Sequence, residues 1–90
     1  MAEFRVTFQS QPLKYYQKAG PDIVKAINEC VEMLKANPFF LPGRIKRLQG
    51  YEGVYRYRIG GLRVVYKVEP AMRLVSVLAI LPRGDIYKKI

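Results

Sequence analysis

The segment Val54-Tyr55-Arg56-Tyr57-Arg58-Ile59 runs into Gly60-Gly61 and returns as Leu62-Arg63-Val64-Val65-Tyr66-Lys67-Val68. Read as two strands joined by a two-residue glycine turn, it sets Ile59 opposite Leu62, Arg58 opposite Arg63, Arg56 opposite Val65 and Val54 opposite Lys67. Side chains alternate across a sheet. Tyr55, Tyr57, Ile59, Leu62, Val64, Tyr66 and Val68 therefore share one side, and Arg56, Arg58, Arg63 and Lys67 share the other. Like charges directly opposite one another cost a strand pair about 0.2–1 kcal/mol, and an anion between them relieves the repulsion. Arginine keeps its charge at every working pH, and its planar fork grips two phosphate oxygens at once. The pattern predicts a phosphate clamp. The alternative is a solvated face whose arginines pair with carboxylates, of which the chain has seven against sixteen Lys and Arg.

The tail Pro82-Arg83-Gly84-Asp85-Ile86-Tyr87-Lys88-Lys89-Ile90 follows the last strand directly. Arg83 leaves the sheet where the other arginines converge, and Gly84 lets the backbone turn sharply. Tyr87 can stack its ring on a base, exchange a proton through its hydroxyl, or lie against the sheet. Asp85 can hold Arg83 or a neighbouring lysine. Missing residue types narrow the chemistry. The chain has no histidine, and Cys30 is its only cysteine. Neither a disulfide framework nor a Cys/His zinc site can be built within one chain. Serine–histidine and cysteine–histidine nucleophile pairs are excluded, and proton transfer is left to Tyr, Lys and the carboxylates. No metal and no cofactor is expected.

The formal charge of +9 is unevenly placed. Residues 44–90 carry eleven Lys and Arg against only Glu52, Glu69 and Asp85, whereas residues 1–43 are nearly balanced. A field of that sign draws in polyanions, either nucleic acid or an acidic protein, and a basic surface kept for solubility is the bland alternative.

The elements that must position these residues fit one domain over residues 1–90. Glu3 to Phe8 alternates as a half-buried strand. Ser10 is expected to cap a short helix with Pro12 in its first turn and Leu13 and Tyr16 facing inward, ended by Gly20. Pro21 starts a second helix with Asp22 in its first turn and Ile23, Ile27, Cys30, Val31 and Leu34 on one stripe, ended at Asn37-Pro38. Cys30 on that stripe reads as core filler. Phe39 to Gly43 is an apolar connector expected to pack under the sheet edge. Strands follow at Arg44–Gly50, Gly53–Ile59, Leu62–Val68 and about Met72–Leu81. The order β-α-α-β-β-β(-β) predicts an α+β domain, its N-terminal strand and two helices packed with a mainly antiparallel sheet, the helices on one face. The longest apolar run, Leu74–Leu81 with Ser76 inside it, has eight residues, far short of the roughly 20 needed to span a bilayer. No export signal is visible at the N-terminus, so the cytoplasm is the expected address.

Four stretches together resemble the RelE/ParE toxin superfamily: Ile45-Lys46-Arg47-Leu48-Gln49-Gly50, Tyr55-Arg56-Tyr57-Arg58-Ile59-Gly60, Leu62-Arg63-Val64-Val65-Tyr66 and Pro82-Arg83-Gly84-Asp85-Ile86-Tyr87. The resemblance spans nearly the whole chain and is strongest in the hairpin and the tail. It implies a RelE-like fold, an acidic antitoxin partner and, for RelE-like members, ribosome-dependent cleavage of mRNA without a metal. It also implies that Arg56, Arg58, Arg63, Arg83 and Tyr87 form the catalytic set, with Arg44, Lys46, Arg47, Lys67, Lys88 and Lys89 as RNA contacts. One departure stands out: RNA-cleaving members often carry lysines where Arg56 and Arg58 stand, and a guanidinium does not readily act as a base. A ParE-like inhibitor of DNA gyrase, or a non-catalytic nucleic-acid-binding module, would use the same fold.

Overall fold

The apolar stripe of the long second helix needs a surface to bury against, and the alternating strands supply one. The computed structural model describes residues 3–82. In order they form β1 (Arg5–Phe8), α1 (Ser10–Lys18), α2 (Pro21–Ala36), β2 (Ile45–Arg47), β3 (Val54–Ile59), β4 (Leu62–Glu69), a 3-10 turn at Pro70–Met72, and β5 (Leu74–Pro82). The strands make one sheet in the order β1-β5-β4-β3-β2. Consecutive strands β2 to β5 pair antiparallel, while β1 lies parallel to β5, so the sheet is mixed with a single parallel pair.

Ile27, Cys30 and Leu34 of α2 bury against Tyr57, Leu62, Val64, Tyr66, Val68, Val75, Val77 and Ile80, and Phe4 closes one end. The helices thus cover one face of the sheet, as the α+β reading expects. Tyr66 is fully buried, its ring stacked on Tyr55 with centroids 5.8 Å apart, and its hydroxyl donates to the Pro38 carbonyl at 2.7 Å. That bond satisfies the one polar atom of a large core side chain and fastens the chain where it leaves α2. Phe39 follows, its ring edge-on to Phe4 and to Tyr55. The connector packs against the sheet only in part: Leu41 is half-buried, but Phe39 stays 41% exposed despite its ring contacts and Phe40 is 68% exposed.

Two expectations for α1 need correction. Gln9, not Ser10, is the N-cap, and no side chain caps the helix. The reason lies in the sheet, because the Gln9 N–H continues the β1–β5 pairing by donating to the Val77 carbonyl at 2.9 Å, and the helix begins only after it. Leu13 is exposed rather than inward. Buried Pro12 and half-buried Tyr15 and Tyr16 recur at i, i+3 and i+4 and form the inward face.

Candidate nucleic-acid interface

β3 and β4 pair in the register set by the two-residue turn: Arg58 opposite Arg63, Arg56 opposite Val65, Val54 opposite Lys67. Gly60 has φ +50 and Gly61 is not in the positive region, the pattern of a type II′ turn; only the first glycine needs its conformational freedom. β2 then adds a second like-charge pair, Lys46 opposite Arg56. Arg56, Arg58, Arg63 and Lys46 thus gather near the turn end of the sheet face that the helices leave uncovered. Two adjacent cross-strand cation pairs are a stronger reason for a bound anion than one.

The clamp residues differ in exposure. Arg58 and Lys46 are exposed and Arg56 is half-buried. Arg63 keeps only 7% of its surface exposed, and its Nη1 donates to the carbonyls of Gly60 and Leu62 at 3.3 and 3.1 Å. One edge of its guanidinium thus braces its own hairpin.

The same face has an apolar floor. Val65 and Leu81 are buried there, with Leu48, Val54, Leu78 and Ala79 packed against them. A break in the β4–β5 register lets this happen: Val65 pairs with Ala79 and Tyr66 with Val77, so Leu78 is the extra, bulged residue. Val75, Val77 and Ile80 all face the helices despite their uneven spacing, while Leu78, Ala79 and Leu81 supply the other side. An apolar floor lowers the local dielectric beside the charges, which strengthens any electrostatic contact made there. The sequence reading missed this floor, although Leu74–Leu81 carried the signal in being apolar at both strand parities.

The remaining candidates are spread more widely. Lys67 is exposed between Val54 and Ser76. It stands four residues from Arg63 on β4, about 13 Å at strand rise. Arg47 pairs with Tyr55, which puts it on the helix side of the edge strand. Arg44 is an exposed turn residue whose carbonyl accepts from the Arg58 N–H at 2.8 Å. Its charge acts on Tyr57, a residue of the helix side: burial and then Cys30 push that hydroxyl above its ordinary 10.0, and Arg44 pulls it back. Arg44 and Arg47 therefore flank the clamp rather than complete it. Arg83, Tyr87, Lys88 and Lys89 lie outside the described residues. Among the described residues no cluster of metal-ligating side chains occurs.

A mixed sheet covered by helices on one face, with cations gathered beside an apolar floor on the other, defines a class of small basic α+β domains. Comparison with known proteins makes the class specific. Residues 4–87 match the family model for the ParE toxin of the type II toxin-antitoxin system parDE. The "Putative toxin RelE1" of Methanocaldococcus jannaschii is 37% identical over 89 residues, covering 96% of this chain and 97% of that protein. The toxin fold also recurs in the archaeal RelE-RelB complex from Pyrococcus horikoshii, at TM-score 0.79 and 26% identity over 90% of this chain and 96% of that one. The Mycobacterium tuberculosis toxin-antitoxin complex RelBE2 gives TM-score 0.74 and 25% identity, over 94% and 97%. The chain belongs to the RelE/ParE superfamily of type II toxin-antitoxin toxins.

Proposed function

We propose that this toxin is a RelE-like endoribonuclease that cleaves mRNA on the ribosome without a metal and is held in check by an acidic antitoxin. The observation that carries the reading is the convergence of Arg56, Arg58 and Arg63 at one end of the uncovered face, two of them directly opposed. The likeness to RelE proteins found in complex with RelB supports the antitoxin, and the net charge of +9 supports an acidic one. The cytoplasm, where ribosomes work, is the corresponding site of action. Among the described residues no helix is long and apolar enough to cross a membrane.

In the proposed reaction the ribose 2′-oxygen attacks its own phosphodiester phosphorus. The bond to the 5′-oxygen of the next nucleotide breaks, leaving a 2′,3′-cyclic phosphate and a 5′-hydroxyl end. The proton lost from the 2′-hydroxyl must find a base, and the departing oxygen must gain a proton. Arg56, Arg58 and Arg63 stabilise the charge that builds on the phosphoryl oxygens, and Arg83 supports the leaving group. Tyr87 stacks on a base or carries a proton. Lys46, Lys67, Lys88 and Lys89, with Arg44 and Arg47 at the margin, hold the RNA backbone. The ribosome supplies substrate geometry that so small a protein does not impose alone.

A second reading has its own observation: the matching family model is that of ParE toxins. Under it the same face serves to inhibit DNA gyrase. Primer extension on a reporter mRNA after a short pulse of expression separates the two. Discrete codon-spaced breaks are expected; intact message with cleaved or relaxed DNA would overturn the RNase reading in favour of gyrase, and intact message with unaltered DNA would leave a non-catalytic binding module.

A further inference from the structure

The register between β1 and β5 ends at Phe8 opposite Val77, yet β5 continues to Pro82. Among the described residues no strand neighbours its outer edge from Leu78 onward, and the bulge at Leu78 loosens the ladder there. A short end of strand, paired on one side and bulged at its root, is poorly held. This same end carries the uncovered face toward the clamp, since Leu81 stands opposite Arg63 and Pro82 opposite Leu62. Arg83 is next in the sequence.

One side chain takes the place of the missing strand. Gln11, in the first turn of α1, donates through Nε2 to the Ile80 carbonyl at 2.9 Å and accepts from the Ile80 N–H through Oε1 at 2.9 Å. A primary amide offers the same donor–acceptor pair as one residue of a strand, so Gln11 completes the rung that β1 does not reach. The arm that carries it is itself anchored. Gln9 donates to Val77, the Leu13 N–H donates to Gln9, and Pro12 is buried. Strand alternation turns the backbone of residue 82 to this same outer edge, and as a proline it has no N–H to offer there. Ile80 is thus the last residue of that edge at which both backbone groups can be held.

We infer that Gln11 is a positioning residue of the toxin: it fixes the end of β5, where Leu81 stands opposite Arg63. Its kinetic consequence rests on the RNA-cleaving reading, whereas its structural consequence does not. A displacement of about 1 Å in a catalytic group costs about a hundredfold in rate, and the clamp touches this strand end directly. The amide reaches no part of the uncovered face, so its loss should spare substrate affinity and lower turnover.

The test compares the full-length toxin with Gln11→Leu, Gln11→Glu and a control, Val31→Ala on α2, using thermal unfolding, residue-resolved amide exchange and single-turnover cleavage on programmed ribosomes. In Gln11→Leu the Ile80 amide should lose protection while those of Val64 and Val75 keep theirs. Its maximal single-turnover rate should fall about tenfold to a hundredfold, with the half-saturating toxin concentration unchanged. Gln11→Glu, which still accepts from the Ile80 N–H but cannot donate to the carbonyl when ionised, should fall between. Continued protection of Ile80 in Gln11→Leu, or a rate loss no greater than that of Val31→Ala at matched melting temperature, would overturn the inference. If the wild type cleaves no message, the RNase reading fails by itself. The Ile80 amide and the strength of growth arrest, which registers whatever the target is, then decide the positioning role.

Discussion

A guanidinium that stays charged at every working pH can hold a phosphate, but it cannot readily take a proton from a ribose hydroxyl. With arginine at positions 56, 58, 63 and 83 and no histidine in the chain, the candidate bases near the proposed site are Tyr87, Lys67, Lys88, Lys89 and Asp85, of the types Tyr, Lys and Asp. As free side chains these titrate near 10, 10 and 4. Single-turnover cleavage should therefore climb from about pH 6 to about pH 9 without a plateau near 6.5. A flat profile with chemistry rate-limiting would leave catalysis to positioning and charge stabilisation. Tyr87→Phe, which keeps the ring and removes the proton, separates proton transfer from stacking: a large rate loss marks the first, a small one the second. A second residue-scale prediction concerns Cys30. Burial pushes its thiol from an ordinary 9.0 up to about 12, and raises the hydroxyls of Tyr57 and Tyr66 as well. Above pH 9 the unfolded chain sheds a proton that the folded chain keeps. The thiol's contribution to stability is thus complete below about pH 9 and is lost as pH rises toward 12. By pH 10 the loss is on the order of 1–2 kcal/mol. Denaturant unfolding should show Cys30→Ala less stable at pH 7 but with a shallower decline between pH 8.5 and 10. An equal decline in both proteins would remove the thiol from the account.

At the scale of elements, the β3–β4 hairpin sets the spacing of the clamp, and its turn has an asymmetric requirement. Gly60 sits at φ +50, while Gly61 does not take a positive φ, and a Cβ at either position would meet nothing within 4 Å. Crowding plays no part, so backbone conformation alone decides. Gly60→Ala should cost about 1–2 kcal/mol, whereas Gly61→Ala should be neutral or stabilise by up to about 1 kcal/mol through the unfolded chain. Chemical denaturation checks both. Equal effects would mean that the turn is not of the type II′ form. Because the Arg63 Nη1 bonds to the Gly60 carbonyl, Gly60→Ala should also weaken toxicity more than its stability loss explains. The hairpin was legible because two residues between two alternating runs allow one register. The inward face of α1 was not. In a helix of nine residues, Leu13 with Tyr16 and Pro12 with Tyr15 and Tyr16 are both helical spacings, and only the sheet beneath selects between them.

Across the whole molecule, Lys46, Arg56, Arg58 and Arg63 meet on one face only because β2, β3 and β4 are neighbours in the sheet. Association with an acidic antitoxin should be steered by that field. Its on-rate should fall steeply between low and physiological salt, while dissociation, governed by apolar contacts such as those half-buried Leu48, Val54 and Leu78 offer, should change little. Stopped-flow mixing at several ionic strengths checks this. An on-rate indifferent to salt, or a basic antitoxin, would defeat the electrostatic account.

The sequence by itself determined the element order, the hairpin register and the sharing of one face by Arg56, Arg58, Arg63 and Lys67, because alternation and turn length are local rules. Tertiary structure decided what depends on residues far apart in the chain. The parallel docking of β1 on β5, the pairing of Lys46 with Arg56, and the bulge that turns Leu78 and Leu81 under the charges depend on which strands become neighbours. So does the bond of Gln11 to Ile80, across 69 positions of sequence. No local pattern marks such partners, since they are chosen by how two covered surfaces fit once the chain has closed on itself.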